Sequence, residues 1–319
     1  MLRALLLYLS QAEWARRIAR SWKLTWKIAS RFVAGETLDE ALKAINDLNE
    51  IGINVTLDHL GEHVSTRQEA QDATDAIIEA LDGIANTDLR AGVSIKLSQI
   101  GLGMDNAACE ENLLRILKHA KDQENFIRID MEDTPFTDVT LDLFYKMQLN
   151  GFEDTVGIVI QSYLYRSVED VRQILTKKGR IRLCKGAYNE PAEVAFPKKQ
   201  KVDENFDIIT RIMLDAALES SIALSPDKKI PPIPAIGTHD EVRIEHTLKY
   251  TEKIALPKDK LEFQMLYGIR TDLQRQLVAE GYPVRVYVPY GTEWYPYFVR
   301  RLAERPANLW FFVSNFFKG

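Results

Sequence analysis

"INVTLDHLGE", residues 53–62, decides between two α/β architectures for this chain. Its first half is rich in apolar and β-branched residues and its end is polar, which is typical of a buried strand. A doubly wound dinucleotide-binding sheet usually has a glycine-rich turn directly after its first strand. No such turn follows here, and "GLGMDN" (101–106) lacks the third glycine and follows a later run. The stretch therefore favours a closed barrel over an open sheet.

The same kind of run recurs along the rest of the chain, and helical patterns separate the runs. Seven more follow, namely "RAGVSIKLSQ" (90–99), "FIRIDMED" (126–133), "VGIVIQSY" (156–163), "RIRLCKGAY" (180–188), "PIPAIGTHD" (232–240), "LEFQMLYG" (261–268) and "VRVYVPYG" (284–291). Their starts lie about 33 residues apart, the length of one βα unit. Eight units predict an α/β fold, a (β/α)8 TIM barrel.

Two local patterns refine this prediction. Ser167 and Asp170 have the spacing of a capping box at the start of "SVEDVRQILTKK" (167–178). "SPDKKIPPIP" (225–234) is interpreted as a surface excursion before the sixth strand. For the domains, we predict an N-terminal helical segment over residues 1–45 and a catalytic barrel over 46–319.

The composition excludes several classes of protein. The 319 residues are 46% apolar and carry 41 Lys and Arg against 46 Asp and Glu, a net charge of −5. That balance gives no reason to expect a nucleic-acid partner. Two distant cysteines, Cys109 and Cys184, suggest no disulfide, and no apolar run approaches transmembrane length. We therefore expect a cytoplasmic protein.

The N-terminal segment has a different charge from the rest. Residues 1–31 contain seven cationic residues and one acid, a charge of +6, with three tryptophans interleaved. A basic, tryptophan-bearing amphipathic helix can lie on an anionic membrane surface. It can equally dock on the main domain with its charges in water, and the pattern leaves both interpretations open.

Polar side chains end the runs, and in a TIM barrel the carboxyl ends of the strands form the active site. The candidates are Lys96, Asp130, Glu132, Gln161, Tyr163, Arg182, Lys185, Tyr188, Thr238, His239, Gln264, Tyr267, Tyr287 and Tyr290. "WYPYFVRRLAER" (294–305) follows the last strand and adds Arg300, Arg301 and Glu304, which share a broad helical face. The excess of cations favours an anionic ligand such as a carboxylate or phosphate. From the pattern alone, the arginine pair is either a solvated surface or an anion clamp.

Other chemistries are weaker matches. "HLGEH" (59–63) has the spacing of an inverted zinc-peptidase motif, but it ends a β-type run and contains Gly61, so no metal site is expected. Lys96 or Lys185 could form a Schiff base in a lyase or aldolase. A membrane-associated scaffold led by the basic N-terminus is a non-enzymatic alternative.

Four late motifs resemble the proline dehydrogenase family, in its small monofunctional bacterial form. They are "RLCKGAY" (182–188), "THD" (238–240), "LEFQMLYG" (261–268) and "YVPYGTEWYPYFVRRLAERPAN" (287–308). Earlier pieces agree in order, namely "SIKLSQIGL" (94–102), "RIDMED" (128–133) and "GIVIQSYLYR" (157–166). The resemblance implies a distorted barrel with extra N-terminal helices that binds FAD at its strand ends.

The resemblance also implies the reaction and the roles. L-proline would be oxidised to Δ1-pyrroline-5-carboxylate, with hydride passing from proline C5 to flavin N5 and electrons passing to a membrane quinone. The implied catalytic residues are Lys96, Asp130, Tyr287, Arg300, Arg301 and Glu304, and the implied substrate contacts also include Tyr188 and Leu266. The implied FAD contacts are Gln161, Arg182, Lys185, Gly186, Ala187, Thr238, His239 and Gln264. A quinone acceptor would give residues 1–31 a purpose as a peripheral contact at the inner membrane face.

Overall fold

The computed structural model describes residues 23–304, and the side chains of residues 25–301. Eight parallel strands close into a barrel in chain order, with β1 paired to β8. The strands are β1 Asn54–His59, β2 Ala91–Ile95, β3 Ile127–Ile129, β4 Val156–Gln161, β5 Arg180–Cys184, β6 Pro234–Gly237, β7 Glu262–Leu266 and β8 Val284–Tyr290. The TIM-barrel prediction is confirmed, and each predicted run contains one strand.

Helices follow the strands and cover the outside of the barrel. They are α1 Lys23–Ala29, α2 Leu38–Glu50, α3 Arg67–Ala85, α4 Asn106–Asp122, α5 Thr134–Met147, α6 Ser167–Thr176, α7 Lys199–Glu219, α8 Glu241–Lys253, α9 Thr271–Ala279 and α10 Trp294–Glu304. Short 3-10 turns span Leu97–Ile100 and Lys258–Lys260, and a π-helical turn spans Gln148–Phe152. The domain boundary that we predict at residue 45 falls inside α2.

The strands alternate between an apolar outer face and a polar inner face. On β1, Val55 and Leu57 are fully buried against the helices, while Thr56 and Asp58 alternate with them. The apolar layer between strands and helices therefore forms the main hydrophobic core. TIM-barrel interiors are usually filled by branched apolar residues, whereas this one is filled largely by polar and charged groups.

A buried ion pair closes the end of the barrel interior where the strands begin, which we call the floor of the barrel. Arg285 Nε donates to Glu262 Oε1 at 2.8 Å, and these side chains are 2% and 0% exposed. Arg285 also donates to the backbone carbonyls of Val55 and Lys228, each at 2.8 Å. The segment 225–234 is exposed at residues 226–228, as expected of a surface excursion, and it also contributes the Lys228 carbonyl to Arg285.

The capping box that we predict at Ser167 is wrong. The Ser167 hydroxyl is buried and donates to the carbonyls of Gln161 and Leu164, both at 2.6 Å, and Asp170 accepts from Arg166 instead. The buried hydroxyl is already hydrogen-bonded to carbonyl groups at and just after the end of β4, so it does not cap the helix.

The first and last described helices pack against each other at the mouth of the barrel. The rings of Trp26 and Trp294 lie 5.3 Å apart, and those of Phe32 and Phe298 lie 6.3 Å apart. This aromatic cluster fixes the helix that carries the arginine pair. Within residues 23–304, no helix is long and apolar enough to cross a membrane.

Candidate active site

Four side chains meet where the carboxyl ends of β1, β2, β3 and β8 converge. Lys96 Nζ lies 3.5 Å from both carboxylate oxygens of Asp58, 3.6 Å from Asp130 Oδ2 and 3.3 Å from the hydroxyl of Tyr287. Tyr287 donates to Asp130 Oδ2 at 2.8 Å. The cluster is a compact network that combines one cation, two carboxylates and one phenol.

Burial and charge together set the protonation of this cluster. Burial by itself lowers the pKa of Lys96, but Asp58 and Asp130 outweigh it and hold the pKa above the ordinary value. Glu62 and Tyr188 act in the same direction from the loops above. Burial raises the pKa of Tyr287 well above its usual range, and Asp130 adds to this. At neutral pH the site therefore presents a charged amine and a neutral phenol.

Arg182, on β5, is held from three sides. Its Nη1 donates to Asp130 Oδ1 at 2.8 Å and to the hydroxyl of Ser94 at 3.2 Å. Its Nε donates to Gln264 Oε1, and the guanidinium lies 5.3 Å from the centre of the Tyr287 ring. Its Nη2 is buried and has no hydrogen-bond partner among the described residues.

The arginine pair lies at the open end of the site. Arg300 donates in a bidentate manner to Glu62, at 2.7 and 3.0 Å, with both side chains about one quarter exposed. The Arg301 guanidinium lies 5.1 Å from the centre of the Tyr297 ring. The side chain of Glu304 lies outside the described residues, so its role as partner of the pair stays a prediction.

A second polar cluster lies beside the first, at the carboxyl ends of β5 and β6. Lys185 Nζ contacts carboxylates of Asp203 and Asp240, the latter at 2.6 Å. Asp240 also caps α8 by accepting from the backbone N–H of Val242 at 3.1 Å. Lys185 is therefore anchored by two acids rather than free to reach into the first cluster.

The remaining candidates surround these two clusters. His239 Nε2 accepts from the backbone N–H of Leu266 at 2.9 Å, which joins the ends of β6 and β7. Thr238 is buried, and its hydroxyl accepts from the N–H of Asp240 at 3.1 Å. Gln161 Nε2 donates to the Met131 carbonyl at 3.2 Å, whereas Gln161 Oε1 is buried without a partner among the described residues.

The loop after β5 carries three further candidates. Gly186 and Ala187 are exposed and Tyr188 is half-buried. Gly186 has a φ of +111°, and a Cβ there would lie 2.4 Å from the Tyr163 ring. The loop can therefore approach Tyr163 only because this residue is glycine.

Our sequence reasoning missed the acids at the end of β1. Asp58 is fully buried against Lys96, and Glu62 binds Arg300 within the "HLGEH" stretch that we set aside as a zinc motif. With these acids present, the mouth is less cationic than the strand-end candidates implied. The signal was available, because Asp58 and Glu62 end a run as the other candidates do.

Comparison with known proteins identifies the family. The family model described as proline dehydrogenase matches residues 41–313. Proline dehydrogenase 1 of Bacillus subtilis is 39% identical over 318 residues and covers 100% of both chains. Proline dehydrogenase of Deinococcus radiodurans is 41% identical and covers 92% of this chain and 91% of its own.

Longer relatives match this chain over only part of their own length. Bifunctional protein PutA of Escherichia coli is 30% identical over 88% of this chain, which corresponds to 23% of PutA. The crystal structure of proline utilization A from Bdellovibrio bacteriovorus, inactivated by N-propargylglycine, superposes with a TM-score of 0.78 at 26% identity. The superposition covers 87% of this chain and 32% of the proline utilization A chain. The chain therefore belongs to the proline dehydrogenase family, and in extent it corresponds to the monofunctional enzymes of that family.

Proposed function

We propose that the enzyme uses FAD to oxidise L-proline to Δ1-pyrroline-5-carboxylate at the carboxyl end of the barrel. The observation that carries the proposal is the contact of Lys96, after β2, with Tyr287, on β8, at 3.3 Å, together with the bidentate contact of Arg300 with Glu62 in the loop after β1, the strand between them. A buried cation beside an aromatic ring, with an arginine that binds a carboxylate in a bidentate manner nearby, suits a small ring that bears a carboxylate.

The carboxylate of proline would be bound by Lys96, Arg300 and Arg301. The bidentate contact of Arg300 with Glu62 supports this, because the guanidinium already holds a carboxylate in the geometry that a substrate would use. The substrate would then replace Glu62 at Arg300. Glu304 would face the ring from the next helical turn.

The ring would pack between the side chains of Leu266, Tyr287 and Tyr188. Asp130 would fix this arrangement, since it accepts from Tyr287 at 2.8 Å and from Arg182 at 2.8 Å. The chain would therefore contribute mainly position and electrostatics.

The residues present fit FAD. Arg182 Nη2 and Gln161 Oε1 are a buried donor and a buried acceptor that have no protein partner among the described residues, and polar edges of a bound ring would satisfy them. Gln264 would orient Arg182, while Lys185, Gly186, Ala187, Thr238 and His239 would hold the ribityl, pyrophosphate and adenosine parts. When bound, FAD would accept hydride from proline C5 at its N5.

The geometry speaks against the lyase alternative. A Schiff-base lysine must be neutral to attack a carbonyl, but carboxylates keep the pKa of Lys96 high. Lys185 contacts two carboxylates. Neither lysine has the apolar or cationic surroundings that would make it a nucleophile.

The decisive experiment is anaerobic reduction. The purified protein is expected to be yellow, and its flavin absorbance should bleach when L-proline is added. A colourless protein that FAD cannot reconstitute would refute the proposal. Trapping of a lysine adduct by borohydride with a carbonyl substrate would favour the lyase instead.

We also propose that electrons pass to a membrane quinone and that residues 1–31 contact the inner membrane face. Residues 1–22 lie outside the described part of the chain, so the proposal rests on their sequence charge. Anionic liposomes should co-sediment the full chain but not a variant that lacks residues 1–22, a deletion that leaves Trp26 and Ala29 packed against α10. Equal co-sedimentation would refute the contact.

A further inference from the structure

The floor of the barrel connects to the site through one amide side chain. Gln264 lies on β7 between the buried Glu262–Arg285 pair below and Arg182 above. Its Nε2 donates to Glu262 Oε1 at 2.6 Å, and its Oε1 accepts from Arg182 Nε. All four side chains are at most 6% exposed.

The orientation of this amide is determined by its neighbours. An ionised carboxylate only accepts hydrogen bonds and a guanidinium only donates them. A reversed amide would place its oxygen against the Glu262 carboxylate and its N–H groups against Arg182. Both hydrogen bonds would then be lost, so the amide has one favoured orientation. Arg285 donates to the same Glu262 oxygen at 2.8 Å and supplies the opposite charge that a buried carboxylate needs.

The amide in turn orients Arg182. Asp130 and Ser94 hold only Nη1, which leaves the guanidinium able to pivot about that end. The contact of Nε with Gln264 is the second anchor, and with both in place Nη2 is the donor that remains. A planar guanidinium with two fixed nitrogens has its third nitrogen fixed as well.

We propose that Glu262 is a positioning residue for the reaction. Glu262 acts through Gln264 to orient Arg182 Nη2 toward the ring of the bound cofactor. Arg285 supports it as the counter-charge. The inference rests on the proposed function, because the aimed donor serves a bound flavin. A cation held near the reactive edge of a bound flavin would stabilise its reduced form, so the relay would raise the midpoint potential.

The main test uses the double variant Glu262→Met with Arg285→Met. Removing both ions together avoids an unpaired buried charge, which a single substitution would leave. Gln264 is then free to reverse, and Arg182 loses its fixed anchor. We expect the midpoint potential of the flavin to fall and the rate of flavin reduction by proline to fall about tenfold, the effect of losing one buried hydrogen bond.

A rescue variant separates orientation from packing. Using Glu262→Gln instead of Glu262→Met beside Arg285→Met adds no charge and keeps an amide oxygen at position 262 that can accept from Gln264 Nε2. This matched variant should therefore keep a midpoint potential and a rate close to those of the wild type. If the Met–Met variant keeps the wild-type potential and rate, or if the Gln–Met variant is as impaired as the Met–Met variant, the proposal is overturned.

Gln264→Met provides a second route if the double variant does not fold. It leaves the Glu262–Arg285 pair intact, removes the anchor of Arg182 and should lower the potential in the same direction. An unchanged potential would overturn the relay. Reduction of the wild-type enzyme by proline tests the proposed function separately, so that a failure of the relay and a failure of the function are distinguishable.

Discussion

Asp58→Asn should lower the pKa of Lys96, so that the lysine loses its proton within an accessible pH range. Lys96 Nζ lies 3.5 Å from the Asp58 oxygens and 3.6 Å from Asp130, so the substitution removes one of two contacting carboxylates. At an effective dielectric constant of about 20, that pair contributes about 5 kcal/mol, equivalent to a fall of about 3.5 in the pKa of Lys96. Burial, which lowers this pKa, is then opposed by one carboxylate fewer, so deprotonation moves down into the alkaline range.

The assay is the pH dependence of KM for proline, from about pH 8 to about pH 11, a range that includes the ordinary pKa of a lysine side chain. KM of Asp58→Asn should rise with pH as Lys96 loses its proton, because the carboxylate clamp loses one positive charge. The effect on kcat should be smaller, since the lost interaction binds the substrate throughout the reaction. The wild-type enzyme, which retains the charge, provides the reference curve.

A double variant identifies the titrating group. Adding Lys96→Arg to Asp58→Asn restores a cation that stays protonated throughout this range, so the alkaline rise in KM should disappear. If Asp58→Asn and the wild type share one pH profile, Asp58 does not control Lys96. If the rise persists with arginine, another group titrates.

Three further substitutions test other parts of the site. Tyr287→Phe removes the donor to Asp130 and should lower kcat/KM about tenfold in steady-state assays; an unchanged value would contradict a role in the network. Arg301→Met should raise KM for proline about 10- to 100-fold while the visible spectrum still reports bound FAD, and an unchanged KM would remove it from the clamp. Gly186→Ala should lower the free energy of unfolding by about 2 kcal/mol in urea titrations. Gly101→Ala is its control, with a φ of +118° but a nearest contact of 3.5 Å, and should cost less.

The strands could be predicted because each buried run repeats the same pattern at a regular interval. The runs extend beyond the strands that they contain. The run 180–188 contains β5, Arg180–Cys184, and the residues after it form the loop that carries Tyr188. The polar residues at the ends of the runs lie at the mouth of the barrel whether they belong to the strand or to the following loop. The runs therefore indicate the site even though their last residues are not in strands.

The partners of the charged residues were harder to predict. In the sequence, Glu304 lies within reach of both Arg300 and Arg301, since helical neighbours are the contacts that a sequence makes visible. The described partner of Arg300 is Glu62, 238 residues earlier. Only the pairing of β8 with β1 brings these segments together, and the same closure places Asp58 beside Lys96. Spacing along the chain contains no signal for such contacts.

The ion pair at the barrel floor constrains how sequences of this kind can diverge. Glu262 and Arg285 each neutralise the other away from water, so losing either one alone leaves an uncompensated buried charge. Intermediates with one substitution would be penalised, whereas a joint replacement could be nearly neutral. Descendants of this chain should therefore keep both residues or exchange both, and drift at these two positions should be slow and correlated.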